Sequence, residues 1–498
     1  MHPYLLVPPA DWSGRRVTVM GLGRFGGGVG VVKFLLRHGA RVTLTDLSTA
    51  AELERSLQQI EVHRLAVLRL GEHRAKDFSS AEIVVVNPAV PLLHPLLQVA
   101  QQAGARLTTE INLFWQLQRG QIAAVTGTVG KSTTALLLAR VLEAGINSSS
   151  RHHARQGTLP RVRLAGNIGA SLLDQVEQIQ PTDWTVLELS SFQLARLGPL
   201  QPRPDIAVIT PIFPNHLDWH GTIAEYLAAK QELIRYLTPE QSIVHFAFGS
   251  TPNQADGTVL VHPAEDWPSA AQRLRVELSG VETEAGYLPD QPQVICVNQT
   301  PLVELHPWRD LPSGSFPSYP LLQSAALALA AGSAVQDVPL ASAISAIRDA
   351  RTLPHRLEVL GEYQGRLFIN DSKATTPLAA IAGLSSFDRP VRLLAGGADK
   401  AGSLTDWAKL ISQRAASVAL VAGVAERLLR EIHLQGSGDS GFARIHTSLA
   451  TAFEWLWKSS VPGDVILLSP GCPSYGEFRN YEERGELFRD LFHRLSAT

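Results

Sequence analysis

The stretch Thr126-Gly-Thr-Val-Gly-Lys-Ser-Thr-Thr134 follows the apolar run Ile122–Val125 and precedes the helical run Ala135–Ala139. A buried strand, a glycine turn and a helix in this order leave free backbone N–H groups around an anion. Lys131 adds a positive charge for phosphate oxygens, and one of the two hydroxyl residues after it can hold Mg²⁺. The segment predicts a P-loop that binds and splits a nucleoside triphosphate, although Val125 replaces the first glycine of the usual motif.

Length and composition indicate an ordinary globular protein of several domains. The 498 residues suggest roughly three domains at about 150 residues each, and 45% of them are hydrophobic while 18% are charged. The net charge of −2 gives no electrostatic basis for binding nucleic acid or an anionic membrane. Cys296 and Cys472 are the only cysteines in the sequence, so we expect no disulfide framework or zinc site. A reducing cytoplasm fits this usage.

No segment has the sequence of a membrane or export signal. The stretch Met1–Pro9 lacks a basic region and a long apolar core, so it does not resemble a signal peptide. No apolar run approaches the ~20 residues that span a bilayer. We therefore expect a cytoplasmic protein without membrane partners, and a monomer.

The first segment, residues 1–119, has the pattern of a Rossmann-like nucleotide-binding domain. Strand Arg16–Met20 leads into the glycine turn Gly21–Gly26, and strand Arg41–Thr45 ends in Asp46. Three glycines at a strand-to-helix turn, with an acid about 20 residues later, are typical of dinucleotide sites. The pattern leaves the nucleotide open, and NAD(P) is one candidate.

A third strand of this segment, Ile83–Val86, leads into the turn Asn87–Pro91. Doubly wound sheets bind ligands at the carboxyl ends of their strands. We therefore expect this turn to lie at the edge of the nucleotide site.

The second segment, residues 120–351, contains the P-loop and alternates strands with helices. Strands Trp184–Leu189 and Ile206–Thr210 predict a parallel, doubly wound sheet. Residues 147–163 are polar and basic, which favours a solvated surface loop. Residues 240–320 favour short strands and turns whose order the sequence does not give.

The third segment, residues 352–498, predicts a second Rossmann-like α/β domain. Its polar clusters all follow predicted strands, so they should share one sheet edge. The strands are Arg366–Ile369, Val391–Ala395, Val418–Ala422 and Asp464–Leu468, and the clusters are Asn370–Thr375, Gly396–Lys400 and Ser469–Ser474.

Three residues of the second segment are candidates for chemistry, each with an ordinary alternative. Glu188 ends a strand after the P-loop, where a carboxylate can hold Mg²⁺ or can simply cap the strand. His216 is either a metal ligand or a loop histidine. Lys230, on a helix predicted over Thr222–Leu237, is by default a solvated lysine.

The third segment adds a possible phosphoryl site. Asp371 and Lys373 lie two residues apart at a strand end, so an acid and a cation can face one cleft. A lysine there can stabilise a transferring phosphoryl group. Arg356 and Lys400 are candidate anion-binding residues or ordinary surface charges.

Taken together and in this order, the motifs resemble the Mur ligase family over nearly the whole chain. The ending Leu468–Phe488 resembles one member of that family most closely. The motifs are Thr126–Thr134, Gly166–Gly169, Glu188–Leu194, Asn215–Asp218 with Lys230, Leu353–Arg356 and Asn370–Thr375.

The resemblance implies an ATP-dependent ligase of peptidoglycan synthesis. A carboxylate of UDP-N-acetylmuramoyl-L-alanine would attack the γ-phosphate of ATP, and the amino group of D-glutamate would then displace phosphate from the acyl phosphate. The implied catalytic residues are Lys131, Glu188, His216, Lys230 and Lys373. The implied ATP-binding residues are Gly127, Thr128, Gly130, Lys131, Ser132, Thr133, Gln323, Arg356 and Asp371.

The resemblance also implies two magnesium ions and a carbamylated Lys230, in place of the solvated lysine. The implied metal ligands are Ser132, Glu188, His216 and Lys230. The UDP substrate would bind at Gly23, Asp46 and Asn167, which makes NAD unnecessary for the glycine turn. The implied glutamate-binding residues are Thr375, Lys400, Ser474, Tyr475 and Tyr481.

The chain departs from the family pattern at three places, which keeps alternatives open. Val129 and Asn215 replace an asparagine and an aspartate, and Tyr319–Gln323 replaces the His-Asn-x-x-Asn stretch that contacts adenine. Another ligase of the family, adding L-glutamate or extending folate, is one alternative. A non-catalytic nucleotide-binding homologue is another. An NAD dehydrogenase would leave the P-loop without a function.

Overall fold

The computed structural model describes residues 11–23, 26–153, 159–168, 171–246, 267–279, 292–335, 338–351, 353–399, 402–436, 441–475 and 477–497. They form two compact units. Of the described residues, the first unit contains 11–246, 267–276 and 327–343, and the second contains 277–326 and 344–497.

The first sheet confirms the Rossmann-like pattern of the amino-terminal segment. Its five strands are parallel and lie in the order β3-β2-β1-β4-β5. The strands are β1 (Arg16–Met20), β2 (Arg41–Asp46), β3 (Val67–Leu70), β4 (Ile83–Val86) and β5 (Arg106–Thr108). The helices are α1 (Gly27–Arg37), α2 (Glu54–Leu57), α3 (Ala75–Ser79), α4 (Pro95–Gln102) and α5 (Glu110–Leu117).

The second sheet carries the P-loop at its centre, and its parallel strands lie in the first unit except for residues 277–279, which are grouped with the second. Six parallel strands lie in the order β11-β10-β9-β6-β8-β7. The strands are β6 (Gln121–Thr126), β7 (Val162–Gly166), β8 (Trp184–Glu188), β9 (Ile206–Ile209), β10 (Ser242–Phe246) and β11 (Gln272–Ser279). The helices are α6 (Lys131–His153), α7 (Ser191–Leu197), α8 (Leu217–His220) and α9 (Ile223–Gln231).

The central strands are buried along nearly their whole length, since helices cover both faces of a parallel sheet. Because β6 and β8 are parallel neighbours, their carboxyl ends lie at the same edge of the sheet. This edge carries the glycine turn after β6 and Glu188 at the end of β8.

Strands β12 (Gln293–Val297) and β13 (Thr300–Leu305) form an antiparallel pair in the second unit. Together with β10 and β11 they confirm the short strands predicted within 240–320. Three helices follow: α10 (Pro307–Asp310), α11 (Tyr319–Val335) and α12 (Leu340–Arg348).

The third sheet lies in the second unit, in the order β14-β15-β19-β16-β17-β18, with β14 antiparallel to β15 and the other neighbours parallel. The strands are β14 (Glu358–Tyr363), β15 (Arg366–Asn370), β16 (Val391–Gly396), β17 (Ala415–Val421), β18 (Ala443–His446) and β19 (Val465–Leu468). The helices are α13 (Pro377–Leu384), α14 (Thr405–Arg414), α15 (Ala425–Leu434), α16 (Leu449–Ser459) and α17 (Tyr481–Ser496).

Two local predictions were wrong. Helix α6 continues to His153, and β7 begins at Val162, so most of the predicted 147–163 loop is regular structure; residues 154–158 lie outside the described chain. Within the helix, the Ser148 hydroxyl is satisfied by Ala144 O one turn earlier, at 2.8 Å, so this polar side chain does not end the helix.

Helix α9 ends at Gln231, not at Leu237 as predicted. Beyond it the chain tightens into i→i+3 bonds, such as Leu233 N to Lys230 O at 3.2 Å. Thr222 is the N-cap, as the predicted start implies, and its hydroxyl and Glu225 form a capping box.

Candidate functional site

The glycine turn after β6 has the backbone that an anion-binding loop needs. Gly127 has φ +144° and Gly130 has φ +88°, in the region that side chains disfavour. A Cβ at Gly127 would lie 1.9 Å from Thr210 Oγ1 and 2.6 Å from its carbonyl oxygen. Glycine is therefore required at position 127 for both conformation and space.

Two lysine side chains bind this turn from different elements. Lys131 Nζ donates to Thr128 O at 2.8 Å, and Lys230 Nζ donates to Gly127 O at 2.6 Å. Lys230 is almost completely buried, which excludes the solvated position expected for an ordinary helical lysine. Burial, and then the charge of Lys131, hold the pKa of Lys230 well below its usual range, while Glu188 opposes the shift.

A tyrosine fixes the middle of the turn. Tyr226 Oη and Thr128 Oγ1 lie 2.7 Å apart, and Thr128 Oγ1 also accepts from Phe213 N at 3.0 Å. The ring of Tyr226 lies under Lys230 Nζ, 4.7 Å from the ring centroid. One side chain thus orders the turn and contacts the lysine that binds it.

Glu188 provides a buried carboxylate at the adjacent strand end. Its Oε1 accepts from Asn167 Nδ2 at 3.1 Å. Its Oε2 is buried and accepts no hydrogen bond from any of the residues described. An unsatisfied carboxylate oxygen is costly to bury, so this atom fits a cation. Mg²⁺ typically takes one or two carboxylates and completes its shell with phosphates and water.

The other predicted metal ligands lie around the same strand ends. Ser132 and Thr133 open α6 and are buried at the turn. His216 is the N-cap residue before α8, with φ +56°, and the centroid of its ring lies 4.8 Å from that of Phe192 on α7. Because α7 starts three residues after Glu188, Phe192 holds His216 near this edge.

In the first sheet, Asp46 stabilises the glycine turn that follows β1. Its Oδ2 accepts from Leu22 N at 2.8 Å and from Gly23 N at 3.1 Å. Asn87 lies against the same turn, because a Cβ at Gly21 would be 3.0 Å from Asn87 Cβ. The turns after β1 and β4 therefore form adjacent walls at the carboxyl edge, as predicted for a ligand site.

In the second unit, Asp371 is buried at the end of β15. Its Oδ2 accepts from Ser469 Oγ at 2.8 Å, and its Oδ1 accepts from Leu357 N at 3.2 Å. Burial raises the pKa of Asp371 to about 7, against these bonds and the nearby charge of Arg356. Arg356 Nε is buried without a hydrogen-bond partner among the described residues.

The predicted glutamate-binding residues lie mainly on two loops that contact each other. Gly471 N donates to Ala374 O at 2.9 Å, which joins the loop after β19 to the loop after β15. Lys373 Nζ lies 5.6 Å from the centroid of the Tyr481 ring. Ser474 is buried, Thr375 is half-buried, Tyr475 is 59% exposed, and Lys400 lies outside the described residues.

Arg484 holds these loops together and was missed by the sequence analysis. Its guanidinium is buried and donates to Ser372 O at 2.8 Å, Ser372 Oγ at 3.0 Å and Cys472 O at 3.1 Å. Burial lowers its pKa to about 10, so it stays charged. The stretch Leu468–Phe488 contains it, but nothing local in the sequence indicates these partners.

Gln323, the predicted base-contacting residue, lies on the first turns of α11. It is nearly buried, and its side chain hydrogen-bonds that of Tyr319 one turn earlier. Burial raises the pKa of Tyr319, so its phenol stays neutral at physiological pH. Tyr319 thus orients the amide that replaces the asparagine of the family motif.

A search of the described residues finds no helix with the length and hydropathy required to cross a bilayer.

Three family models match successive parts of the chain. "Mur ligase MurD-like, N-terminal domain" matches residues 15–109, "Mur ligase middle domain" matches 125–251, and "Mur ligase, glutamate ligase domain" matches 355–472.

Curated relatives are similar over their full length. A UDP-N-acetylmuramoylalanine–D-glutamate ligase of Roseiflexus sp. (strain RS-1) is 37% identical over 495 residues, covering 96% of this chain and 98% of that protein. A protein of the same name from Geobacter metallireducens is 33% identical, covering 97% and 98%.

Solved structures agree on the fold. MurF from Acinetobacter baumannii aligns with a TM-score of 0.54 and 16% identity, covering 98% of this chain and 92% of that one. The MurF ligase of Thermotoga maritima, solved in complex with ADP, aligns with a TM-score of 0.53 and 17% identity, covering 97% and 96%.

Proposed function

The chain belongs to the Mur ligase family, and we propose that it is the ATP-dependent ligase that joins D-glutamate to UDP-N-acetylmuramoyl-L-alanine in peptidoglycan synthesis. Full-length similarity to relatives that carry this activity in their names supports the choice of substrates. The alternatives within the family become outcomes of the test below.

The observation that carries the proposal is the pair of lysines on the glycine turn. Lys131 and Lys230 bind the carbonyl oxygens of successive residues, Thr128 and Gly127. The charge of Lys131 lowers the pKa of Lys230, and an anion bound between the two side chains would offset that repulsion. A triphosphate held by the free N–H groups of the turn is such an anion.

The reaction is the one that membership of the family implies, and the turn would hold its triphosphate. An alanyl carboxylate oxygen attacks the γ-phosphorus, and the bond to the β–γ bridging oxygen breaks, which releases ADP and leaves an acyl phosphate. The glutamate amine then attacks the acyl carbon, phosphate leaves, and the nitrogen loses a proton. Lys131 stabilises the charge that develops on the phosphate oxygens in the first step.

Magnesium fits the carboxylate that the fold leaves unsatisfied. Glu188 Oε2 and the hydroxyl of Ser132 would hold one ion, and His216 with a carbamylated Lys230 would hold a second. When bound, such ions neutralise the charge of the transferring phosphoryl group. Asn167 donates to the other oxygen of Glu188 and so keeps Oε2 oriented for a cation.

Carbamylation of Lys230 is consistent with its environment. The neutral amine attacks CO2, a C–N bond forms, and a proton leaves to solvent, so that a cation becomes an anion. The lowered pKa of Lys230 increases the neutral fraction that this reaction needs. The product replaces repulsion from Lys131 with attraction.

We assign the remaining roles by resemblance. Gly23 and Asp46 shape the turn for the UDP group, and Gln323, Arg356 and Asp371 serve ATP. Lys373 stabilises the phosphoryl group. The residues assigned to D-glutamate are Thr375, Lys400, Ser474, Tyr475 and Tyr481. The domain boundaries at 119 and 351 remain predictions.

The proposal is tested by phosphate release from ATP in the presence of UDP-N-acetylmuramoyl-L-alanine, with D- and L-glutamate offered separately. We expect release with D-glutamate only, together with a product whose mass equals both substrates less one water. Release with L-glutamate alone would identify a different ligase of the family. No release with either would overturn the proposal.

A further inference from the structure

We propose that Arg196 is a positioning residue that fixes the substrate-binding turn of the first sheet to the ATP-binding sheet. The proposal rests on the proposed function for the identity of the ligands. Arg196 lies on α7, is fully buried, and donates from Nη1 to Pro88 O at 2.8 Å. Its Nη2 donates to Val90 O. One guanidinium thus binds two carbonyls of the turn after β4.

The turn that Arg196 holds is a wall of the nucleotide site. Asn87 N donates to Met20 O at 3.0 Å, and Val90 N donates to Asn87 O at 3.0 Å, which closes the turn against the end of β1. Asn87 also faces Gly21 and Gly23, the residues around which the UDP group is proposed to bind. Movement of Pro88 or Val90 would therefore change the shape of that site.

The backbone of Arg196 is fixed near the proposed phosphoryl site, because it belongs to helix α7. Helix α7 begins three residues after Glu188 and is fixed by a capping box between Ser190 and Gln193. The guanidinium lies 5.5 Å from the ring centroid of Trp219, which packs on Phe192 at 4.8 Å.

A second contact ties the backbone of α7 to the first sheet's helix α5. Asn112 Nδ2 donates to Arg196 O at 2.9 Å, and Thr109 Oγ1 donates to Asn112 Oδ1 at 2.7 Å. Both ends of the residue are therefore fixed, the backbone by Asn112 and the side chain by the turn. This geometry makes Arg196 a rigid connection between two sheets.

A ligase of this class must place a carboxylate bound at one sheet against a phosphate bound at another. Reacting atoms need an approach of about 3–3.5 Å, and an error of about 1 Å can cost about 100-fold in rate. A planar guanidinium binds two carbonyls in fixed directions, whereas the donors of a lysine rotate about one nitrogen and do not fix the direction of both carbonyls. The geometry points to Arg196 as the residue that limits this error.

The first test compares Arg196→Met and Arg196→Lys with the wild type. In the Met variant we expect the Kd for UDP-N-acetylmuramoyl-L-alanine to rise at least tenfold and kcat/KM to fall further, while the Kd for Mg-ADP stays within twofold. The Lys variant should lie between. Unchanged affinity for the UDP substrate would overturn the inference, and so would an equal loss for both ligands, which indicates general damage to the fold.

The second test needs no substrate and therefore separates this inference from the proposed function. Hydrogen exchange of the backbone amides in residues 87–97, the turn and the first turn of α4, should accelerate about tenfold in Arg196→Met and by less in Arg196→Lys. Unchanged exchange there would overturn the inference, even if the ligase activity is confirmed.

A matched control is Arg163→Met, which removes another largely buried guanidinium, on strand β7 of the ATP-binding sheet. Arg163 pairs with Asp183 at 2.7 Å, at the edge away from Glu188. This variant should lose stability without changing exchange at 87–97. Equal acceleration in the control would also count against a specific role for Arg196.

Discussion

The side-chain nitrogen of Lys230 lies 2.6 Å from the carbonyl oxygen of Gly127, the first residue of the phosphate-binding turn. Lys131 binds the next carbonyl, that of Thr128. Both contacts involve the backbone, so neither lysine charge is neutralised by them. The charge state of Lys230 therefore decides whether the site repels or attracts further cations.

Lys230→Met should lower kcat at least 100-fold, because it removes both the contact to Gly127 and the proposed carbamate. Wild-type protein equilibrated with ¹³C-labelled bicarbonate should give a carbamate carbon signal in its NMR spectrum, and the variant should not. Lys458→Met, which removes an exposed lysine paired with Glu454, is the matched control and should keep full activity. A wild-type spectrum without that signal would refute the carbamate.

Glu188→Gln should weaken metal binding more than it weakens the fold. The substitution keeps the side-chain shape but removes the charge of the buried Oε2 that no described residue satisfies. We expect Mg²⁺ to strengthen ADP binding in the wild type, and this effect to fall about tenfold or more in the variant, measured by calorimetry with and without the metal. Thermal stability should change little, since the variant removes both the desolvation cost of the buried carboxylate and its attraction to Lys230.

A matched control for this variant is Glu225→Gln, at the exposed capping box of α9. It should leave the magnesium effect intact. If Glu188→Gln retained the full magnesium effect as well, Glu188 would not be a metal ligand.

Sequence patterns predicted most strands of the second sheet, and the edge of that sheet where the candidate ATP site lies. Apolar runs such as Trp184–Leu189 are short, bounded by turns and buried on both faces, so they are read directly as parallel strands. Polar residues that follow such runs lie at the carboxyl edge of their own sheet, Glu188 in the second sheet and Asp371 in the third. Within each sheet, the register between neighbouring strands sets which polar residues lie side by side.

Arg196 and Arg484 could not be predicted in the same way. Each binds a backbone carbonyl more than a hundred residues away, Pro88 O for Arg196 and Ser372 O for Arg484, and a carbonyl is present at every position of a sequence. The predicted end of helix α9 was wrong for a related reason. Whether α9 continues past Gln231 depends more on tertiary packing than on helix propensity, which only weakly predicts where a helix ends.

Asp371→Asn should change how stability depends on pH. The wild-type carboxyl has its pKa raised to about 7 by burial, whereas an aspartate in an unfolded chain ionises near pH 4. Between these values this carboxyl binds more protons in the folded state, so its contribution to stability falls as pH rises from about 4 to about 7 and does not change further above that. The asparagine variant lacks this loss.

The melting temperature of Asp371→Asn, taken relative to the wild type, should therefore rise by about 5 °C between pH 5 and pH 8. Asp388→Asn, on an exposed turn, should give the same difference at both pH values. A difference for Asp371→Asn that does not depend on pH would show that its carboxyl ionises normally.

Gly127→Ala should abolish nucleotide binding through space as well as backbone strain. The new Cβ would lie 1.9 Å from Thr210 Oγ1 and 2.6 Å from Thr210 O, so the turn must move away from β9. That movement also breaks the contact between Lys230 and the Gly127 carbonyl. We expect the Kd for ADP to rise at least 100-fold, measured by calorimetry.

The control Gly14→Ala separates steric overlap from backbone strain. Gly14 also has a positive φ, +71°, but no atom lies within 4 Å of its added Cβ. This control should lose about 1 kcal/mol of stability and keep normal ADP affinity. Normal affinity in Gly127→Ala would mean that the turn does not hold the nucleotide.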